Sequence, residues 1–179
     1  SKSGYGLDRE TELASLRVIA EEGGVPTWLG AHAVPPEFDD ADAYLDFALR
    51  QVLPEAAQLA EAADVFLERG AFDAAQARRY LEGCRAVGLT LRVHGDQFTE
   101  SGAIPLAVEL GARSVDHLEA TGEDGVRTLA KSDVLVTDYS SVAFNAAYLA
   151  RPVVYFQCDR DEVLGGAHLG RKGYFEYDR

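Results

Sequence analysis

The stretch LTLRVHGDQF, residues 89–98, decides the fold class. An apolar run with β-branched residues follows Gly88 and ends in the polar residues His94, Asp96 and Gln97. A short run of this kind, bounded by glycine, predicts a buried strand. Parallel strands in α/β proteins carry their chemistry at their C-terminal ends. The stretch therefore predicts an α/β fold with a functional site at these polar residues.

Helical and strand periods alternate along the rest of the chain. Helices are predicted at residues 10–22, 41–60, 73–87, 101–110, 123–130 and 142–150. Strands are predicted at residues 27–33, 64–67, 89–94, 114–118, 133–137 and 152–156. Because the strands are short and apolar, we expect them to be mostly parallel and buried. The rhythm allows either a β/α barrel or a doubly wound sheet.

The composition limits which molecules the chain could bind and where it could be located. The 179 residues carry 17 Lys and Arg against 30 Asp and Glu, a net charge of -13, which argues against nucleic acid as a partner. No apolar run approaches the length of a membrane span. Two cysteines, Cys84 and Cys158, lie far apart without metal-ligand spacing, so a reducing, cytoplasmic location is expected.

Three of the four histidines fall at predicted strand ends, namely His32, His94 and His117. Neutral imidazole is the commonest metal ligand, and it carries protons readily near neutral pH. Histidines that converge at one end of a sheet therefore predict a metal-assisted hydrolase site. Asp96 or Gln97 could orient a ligand or a water molecule there. The alternative for each histidine is a hydrogen-bonded structural role.

A family resemblance joins these residues. The segments SKSGYGLDRETEL (1–13), PTWLGAHAVPPEF (26–38) and LRVHGDQFTESGAIPLAVELGARSVDHLEATGEDGV (91–126) closely resemble the middle of imidazolonepropionase, an amidohydrolase of histidine degradation. The resemblance covers about residues 1–131 and implies a partial TIM-type amidohydrolase barrel. It also implies metal-dependent hydrolysis of a small cyclic amide, 4-imidazolone-5-propanoate, to N-formimidoyl-L-glutamate.

The resemblance implies a role for each candidate residue. Tyr5, His32 and Gln97 would contact the substrate, and His94 would bind a Zn or Fe ion. His117, the candidate catalytic residue, would either support the residues around the metal or relay a proton. The sequence has no counterpart of the family's HxH metal pair, its substrate arginine or its distal metal-binding aspartate. We therefore expect the isolated chain to be inactive, with the missing groups supplied by further fragments or by a second copy in a homo-oligomer.

The last part of the chain follows a different pattern. In SDVLVTDYSSVAFNAAYLARPVVYF, residues 132–156, Ser140 and Ser141 stand at a predicted helix start, where serine caps the helix or helps to bind phosphate. The segment resembles the C-terminal nucleotide-binding half of the CDP-glycerol glycerophosphotransferases of teichoic acid synthesis. That resemblance implies that both serines hold the CDP diphosphate, with Asn145 where the family has an aspartate. It also implies a Rossmann-like βαβ unit.

These observations predict two segments, residues 1–131 and 132–179, that join as a chimera of two fragments. The leading hypothesis is cyclic amide hydrolysis of the imidazolonepropionase type. Glycerophosphate transfer from CDP-glycerol is the second hypothesis, and a non-catalytic α/β fragment is the third. Metal bound at His94, or CDP bound at Ser140 and Ser141, would distinguish among them.

Overall fold

A computed structural model describes residues 1–3 and 5–129 of the chain, together with the backbone of two short strands at 135–137 and 153–155. Ser140, Ser141 and Asn145 lie outside the described residues, as does the helix predicted at 142–150.

Four parallel strands form the main sheet. They lie side by side in chain order, as β1 (Thr27–Ala31), β2 (Ala62–Leu67), β3 (Thr90–Gly95) and β4 (Ser114–His117). The α-helices that the structure describes are α1 (Arg9–Glu21), α2 (Ala41–Phe47), α3 (Leu53–Leu59), α4 (Ala74–Ala86), α5 (Ala103–Leu110) and α6 (Glu123–Leu129). Strands β5 (Leu135–Thr137) and β6 (Val153–Tyr155) pair in parallel in a second sheet. The predicted α/β fold of parallel βα repeats is confirmed.

Aspartates start three of the helices. Asp8, Asp40 and Asp73 precede α1, α2 and α4, and each side chain accepts a hydrogen bond from the backbone N–H three residues ahead. This contact satisfies one of the donors that a helix start leaves unpaired. The three helices therefore begin within one residue of their predicted starts.

The helix predicted at residues 41–60 contains a π-helical turn. A π-helical turn, Ala48–Val52, separates α2 from α3, which has Pro54 in its first turn. Proline has no N–H to continue an α-helical ladder, so the backbone widens just before it. The predicted helical segment is confirmed, because α2, the π-helical turn and α3 follow one another without a gap from Ala41 to Leu59.

The two faces of the main sheet differ in character. Val65, Leu67 and Val93 are buried in one core cluster together with Leu81 of α4 and Ile104 of α5. Because side chains alternate along a strand, their neighbours in sequence point to the other face. That second face carries the polar side chains of β2, β3 and β4, and it is where the candidate site lies.

Candidate metal and catalytic site

The three predicted histidines converge at the C-terminal side of the sheet. His32 directly follows β1, His94 lies near the end of β3, and His117 ends β4. The ring centroids of His32 and His94 are 5.0 Å apart, and those of His94 and His117 are 5.2 Å apart. Parallel strands bring these side chains together although the sequence separates them widely. The prediction that they lie on one side of the sheet is confirmed.

Asp64 of β2 joins two of the histidines. Its side chain is 0% exposed, and Oδ1 lies 3.2 Å from His32 Nε2 and 2.7 Å from His94 Nδ1. Its other oxygen, Oδ2, lies 3.1 Å from the ammonium nitrogen of Lys2. The sequence pattern did not indicate Asp64 as a site residue, because the predicted strand begins at residue 64, whereas β2 begins at Ala62. The sequence does hold one indication of its role: Asp64 is a carboxylate in an otherwise apolar strand, and a buried charge needs partners.

Charge within this cluster is set by burial and by pairing. Burial raises the pKa of Asp64, but hydrogen bonds from His32 and His94, with the charges of His94 and Lys2, outweigh it and hold that pKa well below its usual value. Burial lowers the pKa of His32, and the hydrogen bond to Asp64 opposes that shift only in part. At neutral pH, Asp64 is therefore an anion and His32 a neutral imidazole.

Lys2 brings a positive charge to the same place. Its Nζ lies 2.7 Å from His94 Nε2 and 3.4 Å from Asp116 Oδ2. The backbone around Lys2 runs parallel to β1, where Lys2 pairs with Thr27. This pairing determines where the lysine side chain begins, and no local pattern in the sequence predicts it.

His32, Asp64 and His94 form a group that could hold a metal ion. Each offers one ligand atom, and the three atoms lie within 4.8 Å of one another. Imidazole nitrogen and carboxylate oxygen suit Zn and Fe ions. The resemblance implied one metal ligand here, His94, and the structure brings two further donors to it.

His117 stands beside this group with an unusual backbone. Its φ is +82°, and the following Leu118 has a φ of +74°. Both values are rare outside glycine, and strain of this kind is often found at functional sites. The Nδ1 atom of His117 lies 3.7 Å from Glu119 Oε1, and its side chain is partly exposed. His117 thus has access both to the cluster and to solvent.

Tyr5 lies at the open side of the cluster. Its ring meets the ring of His32 edge-on, with centroids 5.9 Å apart, and the side chain is largely exposed. The arrangement leaves the phenol free to meet a ligand that enters from solvent.

The loop that carries Gln97 is held by a buried carboxylate. Glu68 Oε2 accepts N–H hydrogen bonds from Gln97, Phe98 and Thr99 at 3.1, 3.0 and 3.3 Å, and the Thr99 hydroxyl donates to Oε1. Burial raises the pKa of Glu68, but these hydrogen bonds and one from Arg69 bring it to about 2. The sequence did not indicate Glu68, because Glu68 follows β2 whereas the loop that it binds follows the neighbouring strand, β3.

Comparison with known proteins supports both resemblances. Imidazolonepropionase of Rubrobacter xylanophilus is 63% identical over 137 residues, which is 73% of this chain, and that of Shewanella piezotolerans is 46% identical over 145 residues. Part of the chain is homologous to imidazolonepropionase. This chain spans about a third of the length of these curated relatives, 33% and 36%.

The family model described as CDP-glycerol:poly(glycerophosphate) glycerophosphotransferase matches residues 109–177. This match confirms the second predicted resemblance, and it begins ahead of the predicted boundary at residue 131.

Among solved structures, Arabidopsis N6-mAMP deaminase is similar at a TM-score of 0.42 and 8% identity, covering 93% of this chain and 70% of that one. A likeness this low carries no weight for function. Within the described residues, no helix has the length and apolar character needed to cross a bilayer.

Proposed function

We propose that residues 1–131 carry part of an imidazolonepropionase-type site, which hydrolyses the cyclic amide 4-imidazolone-5-propanoate to N-formimidoyl-L-glutamate. The observation that supports this most is the cluster of His32, Asp64 and His94 in a chain with a relative 63% identical. The substrate is a small molecule, and the location that we propose is cytoplasmic. Because the sequence has no HxH pair, we expect the isolated chain to lack turnover.

The residues present fit a Zn or Fe ion. Asp64 Oδ1 lies 2.7 Å from His94 Nδ1, which leaves the opposite ring nitrogen, Nε2, free of Oδ1. A carboxylate behind an imidazole in this way sets its orientation and strengthens it as a metal ligand. We propose that His94 holds the ion through Nε2. When bound, such an ion polarises a carbonyl group and lowers the pKa of water.

Each remaining residue has a role in the hydrolysis. The neutral His32 donates its Nε2–H to Asp64, so its Nδ1 is left to accept a hydrogen bond from the ring of the substrate. The exposed Tyr5 and the anchored Gln97 border the space in front of it. His117 takes a proton from the attacking water and passes it to the ring nitrogen. The water oxygen forms a bond to the ring carbonyl carbon as the C–N bond breaks. A positioned acid–base group of this kind typically contributes about 10²–10⁴-fold in rate.

A hybrid enzyme tests the assignment. The aligned segment of the Rubrobacter relative is replaced by residues 1–129 of this chain, and hydrolysis is measured after loading with Zn or Fe. We expect an active hybrid that loses about 10²–10⁴-fold in kcat on His117→Ala and loses metal on His94→Ala. Arg50→Ala serves as the matched control because Arg50 lies on the exposed surface, paired with Asp46. A folded, metal-loaded hybrid without activity would refute the proposal.

The isolated chain provides a second test. Without the HxH pair and the distal aspartate, we expect no measurable hydrolysis, because each missing ligand weakens metal binding. Turnover that is abolished both by a chelator and by His94→Ala would contradict this expectation.

The match at residues 109–177 favours a second candidate, glycerophosphate transfer from CDP-glycerol. In this candidate Ser140 and Ser141 bind the diphosphate, while Asn145 lacks the carboxylate that the family has there. Because the net charge of -13 opposes a free anion, we expect CDP to bind no tighter than the millimolar range. Calorimetry on the chain, on Ser140→Ala and on Asn145→Asp measures this. Micromolar affinity that Ser140→Ala abolishes would make transfer the better assignment.

A further inference from the structure

The ammonium group of Lys2 lies among three atoms that are themselves suited to a metal ion. Its Nζ is 2.7 Å from His94 Nε2, 3.1 Å from Asp64 Oδ2 and 3.4 Å from Asp116 Oδ2. One imidazole nitrogen and two carboxylate oxygens are a common donor set for divalent first-row metals. The chain therefore places a cation of its own where those donors converge.

The backbone beneath Lys2 is anchored, but its side chain is not confined. Ser3 N donates to Thr27 O at 2.8 Å, and Thr27 N donates to Ser1 O at 2.9 Å, so the chain is paired on both sides of Lys2. The lysine side chain itself is 38% exposed. A flexible four-carbon stem can turn out to solvent while the backbone stays in place.

We propose that Lys2 is an internal competitor of divalent cations at this position. Its ammonium balances the buried carboxylate of Asp64 when no ion is bound, and an ion gains His94 Nε2 and the carboxylate oxygens only when the side chain withdraws. Two cations cannot share these donors, because like charges at such distances repel strongly in a partly buried site. The proposal shares His94 with the proposed function.

Removal of the lysine charge should therefore strengthen binding of a metal ion. The test titrates the full chain with Co²⁺ and follows visible absorption. We expect Lys2→Ala and Lys2→Met to bind Co²⁺ at least about tenfold more tightly than the unaltered chain, a difference of about 1.4 kcal/mol. Lys2→Arg keeps the charge, so it should show no gain.

Controls separate local competition from a general change in charge. Arg50→Ala also removes one positive charge, from a side chain 76% exposed, and should leave the affinity for Co²⁺ unchanged. Asp64→Asn combined with Lys2→Ala should abolish the gain. Circular dichroism establishes that each variant is folded, and Lys2→Met keeps most of the side-chain stem if Lys2→Ala does not fold.

Several results would overturn the proposal. One is an affinity for Co²⁺ that is unchanged or weaker in both Lys2→Ala and Lys2→Met. Others are an equal gain of affinity in Arg50→Ala, or a gain that persists when Asp64→Asn is combined with Lys2→Ala. The last is no binding of Co²⁺ by any variant at millimolar concentration. The titration involves no substrate, so an inactive hybrid enzyme would leave it untouched. Conversely, a failed titration would leave the activity of the hybrid to be judged separately.

Discussion

The most informative single change is Asp64→Asn, because one buried carboxylate holds three partners. Its oxygens contact His32 Nε2 at 3.2 Å, His94 Nδ1 at 2.7 Å and Lys2 Nζ at 3.1 Å. The amide keeps one acceptor oxygen but loses the charge and places an NH₂ group against a lysine or a histidine. Breaking a buried ion pair by removing one partner costs about 3–5 kcal/mol. We expect Asp64→Asn to lower the free energy of unfolding by about 3 kcal/mol.

Asp116→Asn is the matched control. Asp116 also contacts Lys2 and His94, but its side chain is 38% exposed. Exposed pairs are screened by solvent, so this change should cost less than about 1 kcal/mol. Both carboxylates lie on the same face of the sheet, and the two substitutions are chemically identical, so the difference between them isolates burial.

Urea unfolding at pH 7 measures both variants. The chain has one tryptophan, Trp28, which is 1% exposed, so its fluorescence reports on the core. The pKa of Asp64 lies below the ordinary value of 3.8, so its contribution to stability is fully present at pH 7 and is lost as pH falls through the folded-state pKa. If Asp64→Asn proves no more destabilising than Asp116→Asn at pH 7, the central role given to Asp64 is wrong.

Three further changes test other parts of the fold. Glu68→Gln should lower the free energy of unfolding by about 2 kcal/mol and speed amide hydrogen exchange at residues 97–99. Because the pKa of Glu68 is about 2, the stability that its carboxylate contributes should fade only as pH falls from 4.5 toward that value. Burial raises the pKa of Cys84 to about 12, so in a Cys158→Ser background its thiol should resist a disulfide reagent at pH 8 until urea unfolds the chain. Gly30→Ala should cost about 2 kcal/mol or more, measured by thermal unfolding, because an added Cβ would lie 2.3 Å from the tryptophan ring.

Much of the fold could be predicted from local pattern. Alternating helical and strand periods placed the four strands of the main sheet within about two residues, and they placed the starts of α1, α2 and α4 within one residue. The three histidines at strand ends could be placed together as well. In parallel βα units all strand C-termini share one side, so this placement needs no knowledge of packing.

The partners within the site could not be predicted in the same way. Lys2 and His94 are 92 positions apart, and Lys2 and Asp116 are 114 apart, yet their side chains meet. Periodicity tells which face of a strand a residue occupies, but not which residue of a neighbouring strand lies opposite. Pairing between β2 and β3 sets that register, with Asp64 opposite Arg92 and Phe66 opposite His94.

Sequence therefore determined the α/β class and the convergence of His32, His94 and His117, because both depend on spacing along the chain. Tertiary structure alone decided that Asp64 lies between two of these histidines and that the ammonium of Lys2 meets His94. Those contacts depend on strand register and on the backbone of residues 1–3 pairing beside β1, which long-range packing controls.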